Sequence, residues 1–262
     1  MEAGYGSAAH AAEHLRRLLQ KALEQAFPGC ETEKVPVGTS QTGGQWFFSS
    51  GLVFSCAAVK KISPAEAADR LSAFLPARDA VFDRIEKSGG YLNFAPSAQW
   101  YAACAAFLLR NASFSAWRIT EEDFGFFAGA SPAVKEVQKA FVRLCSVLRG
   151  CRAEGLLELS CPPEALSLLK SPQETALLFS LARLPDDTGP SLLPSLLEVS
   201  RAFHRFYDSL RVWSPDPHLT AARVSLCLAC GGRMQKSLQQ LGLLCVGTKQ
   251  HFTVSAQKTK YF

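Results

Sequence analysis

One change of pattern, between residues 110 and 131, constrains this 262-residue chain more than any other feature. Before it, segments with helical spacing and segments with strand alternation take turns; after it, every segment carries helical spacing. A sheet-containing core and a helix-only core bury their apolar faces in different ways, so the chain is read as two domains. Its length lets each bury a core of its own.

In the first part, "AAHAAEHLRRLLQKALEQAF" brings Ala12, Leu15, Leu19, Leu23 and Phe27 onto one side of an amphipathic helix that Pro28 and Gly29 end. "ETEKVPVGTSQTGGQWFF" alternates between Gly clusters and predicts a short strand with its turn. "SGLVFSCAAVKK" is read as helical, and "ISPAEAADRLSAFL" restarts a helix with Ser63 as cap, Pro64 in the first turn and Glu66 three residues past the cap. "AVFDRIEKSGGYLNFAP" alternates as two strands joined at Gly89–Gly90. These segments complete an α+β domain over residues 1–110. Phe94, Trp100 and Phe107 are assigned to its core.

Residues 111–130 are a polar and aromatic connector. Four helical segments follow: "SPAVKEVQKAFVRLCSVLRGC", "SPQETALLFSLARLP", "SLLPSLLEVSRAFHRFYDSLRV" and "LTAARVSLCLACGGRMQKSLQQLGL". Residues 131–262 are therefore expected to form an all-α bundle. Phe203 and Phe206 belong to its core, with Tyr207 and Arg211 nearer the surface, and Gly231–Gly232 marks a weak point or kink in the last helix.

With 48% hydrophobic and 19% charged residues, the composition excludes a disordered chain. The N-terminal stretch lacks the apolar core of a signal peptide, and the longest apolar run, "YAACAAFLL", is too short to span a bilayer. The expectation is a cytoplasmic protein without membrane contact. The nine Cys lie within helical patterns and are read as reduced, buried thiols; Cys227 and Cys230 form a CxxC without the second ligand pair that zinc requires.

Charge is uneven. Residues 1–130 carry 12 Lys and Arg against 13 Asp and Glu, whereas residues 131–262 carry 16 against 10. No acidic residue follows Asp216, which leaves Arg223, Arg233, Lys236, Lys249, Lys258 and Lys260 without a local counterweight. A solvated helix face has this pattern, and so does a surface that meets phosphates.

Catalytic constellations are missing from the sequence. It contains no phosphate-cradling Gly-x-x-x-x-Gly-Lys, no dinucleotide fingerprint, no Gly-x-Ser-x-Gly and no His-Glu-x-x-His. His10 and His14 share a helical face without a third ligand and are assigned to the surface, and Glu121, Glu122 and Asp123 read as a solvated turn. No metal and no cofactor is expected.

"KKISPAEAADRL" followed by "IEKSGGYLNF" resembles the N-terminal tRNA-binding domain of arginyl-tRNA synthetases. "VQKAFVRLCSVLRG", "SPQETALLFSLARLPD", "SRAFHRFYDSLRV" and "ARVSLCLACGGRMQKSLQQLGL" are similar, in order, to the helices of that family's DALR anticodon-binding domain. The resemblance implies an α+β tRNA-elbow domain followed by an all-α DALR-type bundle. It also implies that Tyr91 and Asn93 hold a D-loop base, helped by Gly89 and Gly90. A Tyr ring stacks on an unpaired base while an Asn amide pairs with its edge. For the anticodon arm it points to Lys139, Arg143, Tyr207, Arg211, Arg233, Lys236 and Lys249.

Several family features are replaced. The His-x-Gly-His and Lys-Met-Ser-Lys-type signatures do not occur, and a twenty-residue connector stands where a catalytic domain would. Lys139 takes the place of the family Tyr on the first bundle helix, Phe141 that of the neighbouring His, and His204 that of an Asn. The resulting expectation is a non-catalytic tRNA-binding protein whose partner is tRNA, arginine tRNA included. Two alternatives stand beside it: an accessory subunit of a tRNA synthetase or tRNA-modifying enzyme, and a protein-interaction scaffold that has lost RNA.

Overall fold

Helix α1 (Ala8–Ala26) starts where Ser7 accepts a hydrogen bond from the His10 amide at 3.1 Å, and it buries Ala11, Leu15, Leu19, Ala22 and Leu23 along one face. Each such Leu, taken fully out of water, contributes roughly 1.5–3 kcal/mol. The computed structural model describes residues 7–30, 35–110, 114–115 and 130–244. His14, expected as a plain surface residue, is half-buried and sits 2.5 Å from Asp79, whose other oxygen accepts from the Val81 and Phe82 amides. Its ring therefore ties α1 to the start of the third strand.

After α1 come strands β1 (Gly38–Thr42) and β2 (Gln45–Ser50), turned at Gly43–Gly44, so the stretch expected to give one strand gives a hairpin. Helices α2 (Leu52–Lys60) and α3 (Pro64–Ser72) follow, then β3 (Phe82–Ser88), β4 (Tyr91–Pro96) and α4 (Ala98–Arg110). The expected cap on α3 is present: Ser63 accepts from the Glu66 amide at 3.1 Å. The sheet is antiparallel with order β1-β2-β4-β3. On it Phe48 lies opposite Phe94, and Trp100 of α4 meets Phe48 edge-on at 5.4 Å.

The chain forms two compact units: residues 1–107 with 170–183, and residues 108–169 with 184–262. Helix α5 (Pro132–Ala153) is followed by two short 3₁₀ turns, Leu156–Glu158 and Pro163–Leu168, in a stretch where no element had been read. Helix α6 (Pro172–Arg183), read from the sequence with the bundle, packs with the first unit. The physical reason is aromatic: Phe179 stacks on Trp46 at 5.2 Å and packs against Phe48 and Trp100 at 5.2 and 5.7 Å. Ser171 and Glu174 cap α6 reciprocally, at 3.2 and 2.9 Å.

The second unit holds α5, α7 (Leu192–Ser209) and α8 (Pro217–Gln240). Helix α8 begins two residues before the expected segment, capped by Asp216, and runs unbroken through Gly231–Gly232. Gly231 is a packing position rather than a break. A Cβ there would lie 2.8 Å from the Phe114 ring and 3.1 Å from Leu148. Phe203 and Phe206 are fully buried, as their spacing indicated.

Among the described residues no helix is long and apolar enough to cross a membrane. No disulfide joins the described Cys, and all are buried except Cys161. Burial, with Cys30 nearby, pushes the Cys56 thiol up to about 11, and burial does the same for Cys151, so both stay protonated at neutral pH.

Candidate nucleic-acid interface

The turn between β3 and β4 is made by Gly89 and Gly90, at φ +56° and +83°, which suits a two-residue hairpin turn twisted with its strands. It delivers Tyr91 as the first residue of β4, and strand alternation puts Asn93 on the same side of the sheet, about 7 Å further along. Tyr91 is 47% exposed. Its ring meets Phe54 of α2 edge-on, with centroids 5.2 Å apart.

Glycines make room for this pair. A Cβ on Gly90 would fall 2.6 Å from the Phe54 ring, and one on Gly51 would fall 3.3 Å from Tyr91 Cε1. Gly90 had been expected to open the backbone toward RNA; the face it leaves bare is filled by Phe54. Phe54, itself 42% exposed, is the residue that sequence reading missed at this site.

Asn93 is 8% exposed, and its Oδ1 accepts from Ser49 Oγ at 2.7 Å and Ser40 Oγ at 3.3 Å. Two hydroxyls thus fix the amide plane. Opposite Asn93 on β3 stands the half-buried Glu86, paired with Arg84 at 2.7 Å, while Lys87, on the other side of the sheet, is held 2.5 Å from Asp69 of α3. Tyr91 and Asn93 are themselves neutral, with the Glu86 carboxylate and its partner Arg84 beside them on β3, and what the pair can do is stack a flat ring and offer an amide donor next to it.

The second unit is charged instead. Lys135, Lys139 and Arg143, four residues apart, are exposed along α5. Glu136 pairs with Arg201 of α7 at 2.9 Å, and about two turns further along α5 the Arg143 guanidinium lies over the Tyr207 ring at 5.3 Å. The two helices therefore run in the same direction. Tyr207 is half-buried and stacks on Phe203 at 6.1 Å, so it offers one face to the cation and the other to the core. Phe141 is fully buried, and His204 lies 6.0 Å from the Phe203 ring.

Arg211 is exposed just past the end of α7. Arg233 is not: its side chain is 12% exposed, bonds the Leu184 carbonyl and reaches Asp186 at 2.5 Å. Lys236 reaches the same carboxylate at 3.0 Å. The basic stretch after Asp216 thus has a counterweight, supplied by a loop fifty residues earlier in sequence. Burial works against the charge on Asp186, but hydrogen bonds from Lys236 and Arg233, with their charges, hold its carboxyl below the ordinary value. Lys249 and the acidic turn at Glu121, Glu122 and Asp123 lie outside the described residues.

Among the described residues no group of three His, Cys, Asp or Glu side chains is placed to hold a metal ion.

An α+β domain followed by a helical anticodon-binding-type domain is the class these features define. The family comparisons agree: the arginyl tRNA synthetase N-terminal domain matches residues 13–95, and the DALR anticodon binding domain matches residues 137–247. The chain is built from two domains of the arginyl-tRNA synthetase family. It is 27% identical to the arginine–tRNA ligase of Polaromonas sp. over 167 residues, which is 60% of this chain and 30% of that protein. The ligases of Moorella thermoacetica and Thioalkalivibrio sulfidiphilus are 33% and 35% identical over 122 and 130 residues, 44% and 46% of this chain and 22% of each relative. The chain thus spans less than a third of the length of these curated relatives. No solved structure matches it.

Proposed function

We propose that this chain binds tRNA without acting on it, meeting the D-loop with the first unit and the anticodon arm with the second. The observation that carries the reading is the Tyr91–Asn93 pair, an exposed ring and a fixed amide on one side of one strand. With Oδ1 taken by two serine hydroxyls, the amide keeps its nitrogen as a donor, which suits the acceptor edge of a base stacked on Tyr91. Lys135, Lys139 and Arg143 supply the positive face that a phosphate backbone requires. No catalytic step is assigned to these residues, and the reading places the protein in the cytoplasm beside the tRNA pool.

The test is binding of the purified chain to arginine tRNA and to an unrelated tRNA across a salt series, repeated with Tyr91→Ala. Expected are affinity that falls steeply with salt and a loss of about tenfold on substitution at every salt concentration. Absence of binding to either tRNA at low salt would refute the reading and leave a scaffold whose partner is a protein. Recovery of a synthetase or tRNA-modifying enzyme with the chain, only while RNA is intact, would add an accessory role.

A further inference from the structure

The loop from Leu210 to Asp216 joins α7 to α8, and both flanks of its centre are tied down. The Ser214 amide donates to Thr220 Oγ1 at 2.9 Å, and that hydroxyl, buried within α8, lies 3.0 Å from the Ser214 carbonyl. The Asp216 amide donates to Ser214 Oγ at 3.2 Å, and Asp216 in turn caps α8. On the other flank, Arg223 Nη1 donates to the Arg211 carbonyl at 2.8 Å. Between these anchors stands Trp213, 54% exposed, the most exposed aromatic side chain among the described residues.

A single exposed apolar residue is ordinary, but this one is displayed. An indole carries the largest apolar surface of any side chain, and here the backbone that holds it toward water is fixed rather than loose. Its neighbours decide what it suits. Among the described residues of the second unit, Leu159 is the one other large apolar side chain that stands exposed, so Trp213 is not part of the broad apolar patch that a stable protein interface buries. Beside it in sequence is the exposed Arg211, and Tyr207, already under a guanidinium, sits one turn further back at the same end of α7. A planar ring with an exposed guanidinium two residues away in a tied-down loop matches an unpaired nucleobase and its phosphate.

We propose that Trp213 is a stacking platform for an unpaired base in a single-stranded loop of the bound tRNA, extending the strip that Arg143 and Tyr207 begin. The proposal rests on the reading that the chain binds tRNA, and it adds a base contact beyond the α5 cations and Tyr207.

The experiment measures tRNA affinity of the full chain at several salt concentrations for wild type, Trp213→Ala, Trp213→Phe and Tyr91→Ala, with a thermal melt of each. Trp213→Ala is expected to lose about tenfold without a change in salt slope or melting temperature, and Trp213→Phe to keep most of the affinity because a ring remains. Wild-type affinity in Trp213→Ala, while Tyr91→Ala is weakened, would overturn the Trp213 proposal alone and turn the indole into a protein contact. A wild type that binds no tRNA would overturn the underlying reading instead. A loss shared equally by Trp213→Ala and Trp213→Phe with a lowered salt slope would also overturn stacking, since the residue would then be acting through the placement of Arg211.

Discussion

The two candidate surfaces solve different problems with different chemistry. In the first unit, Tyr91 and Asn93 are neutral and are held by Phe54 and by two serine hydroxyls. In the second, Lys135, Lys139 and Arg143 line a helix, and the one aromatic that joins them, Tyr207, lies under a cation. Stacking and amide pairing are short-ranged and indifferent to salt, whereas phosphate contacts release counterions and fade as salt rises. On the proposed reading, the first surface tells bases apart and the second holds a backbone in place.

The largest effect expected concerns which residues make the first unit at all. Phe179 of α6 fills the space among Trp46, Phe48 and Trp100, so Phe179→Ala should cost about 3–5 kcal/mol. Amide exchange should rise through β2 and α4 while α5 and α8 keep their protection. Equal loss of protection in α5 and α8 would mean that the two units unfold as one. Next in size is the double substitution Lys139→Ala with Arg143→Ala. It should lower the slope of log affinity against log salt by about 0.7–0.9 for each phosphate contact removed, a change that Tyr91→Ala should not produce. An unchanged slope would take the α5 face out of the RNA interface.

What the sequence made legible was what is local. Ser63 and Glu66, Ser171 and Glu174, and the Gly89–Gly90 turn all act within three or four residues of themselves, and their signatures could be read directly. The order of helices and strands followed, and so did Tyr91 and Asn93 as neighbours on one side of a strand. Long-range pairing was not legible. Nothing near Phe54 in sequence tells of the Tyr91 ring, 37 positions away, and nothing near Phe179 tells of Trp46. The helical spacing of α6 is equally good for either unit; side-chain complementarity decided it. For the same reason the acid-free run after Asp216 was misleading, because charge balance is settled in space.

That balance sets the smallest effect and the sharpest test of the contrast between the surfaces. Asp186 joins Arg233 and Lys236, with the acid's side chain 71% exposed, so water screens the pair and its contribution is about 0.5 kcal/mol or less. Its carboxyl in the folded protein is held below the ordinary 3.8. A depressed acid stabilises the fold fully above its unfolded value and loses that stabilisation as pH falls through the lower folded value. Melting temperature should therefore drop on acidification slightly more in wild type than in Asp186→Asn, with the difference confined to pH below about 4. At neutral pH the same variant releases Lys236 from its partner, while Arg233 stays held by the Leu184 carbonyl. If Lys236 belongs to the RNA face, affinity for tRNA at low salt should rise about twofold in Asp186→Asn, and the gain should vanish at high salt. An affinity that does not move would confine that face to α5, Tyr207 and the loop beyond α7, leaving the Asp186 cluster as a minor tie between its loop and α8.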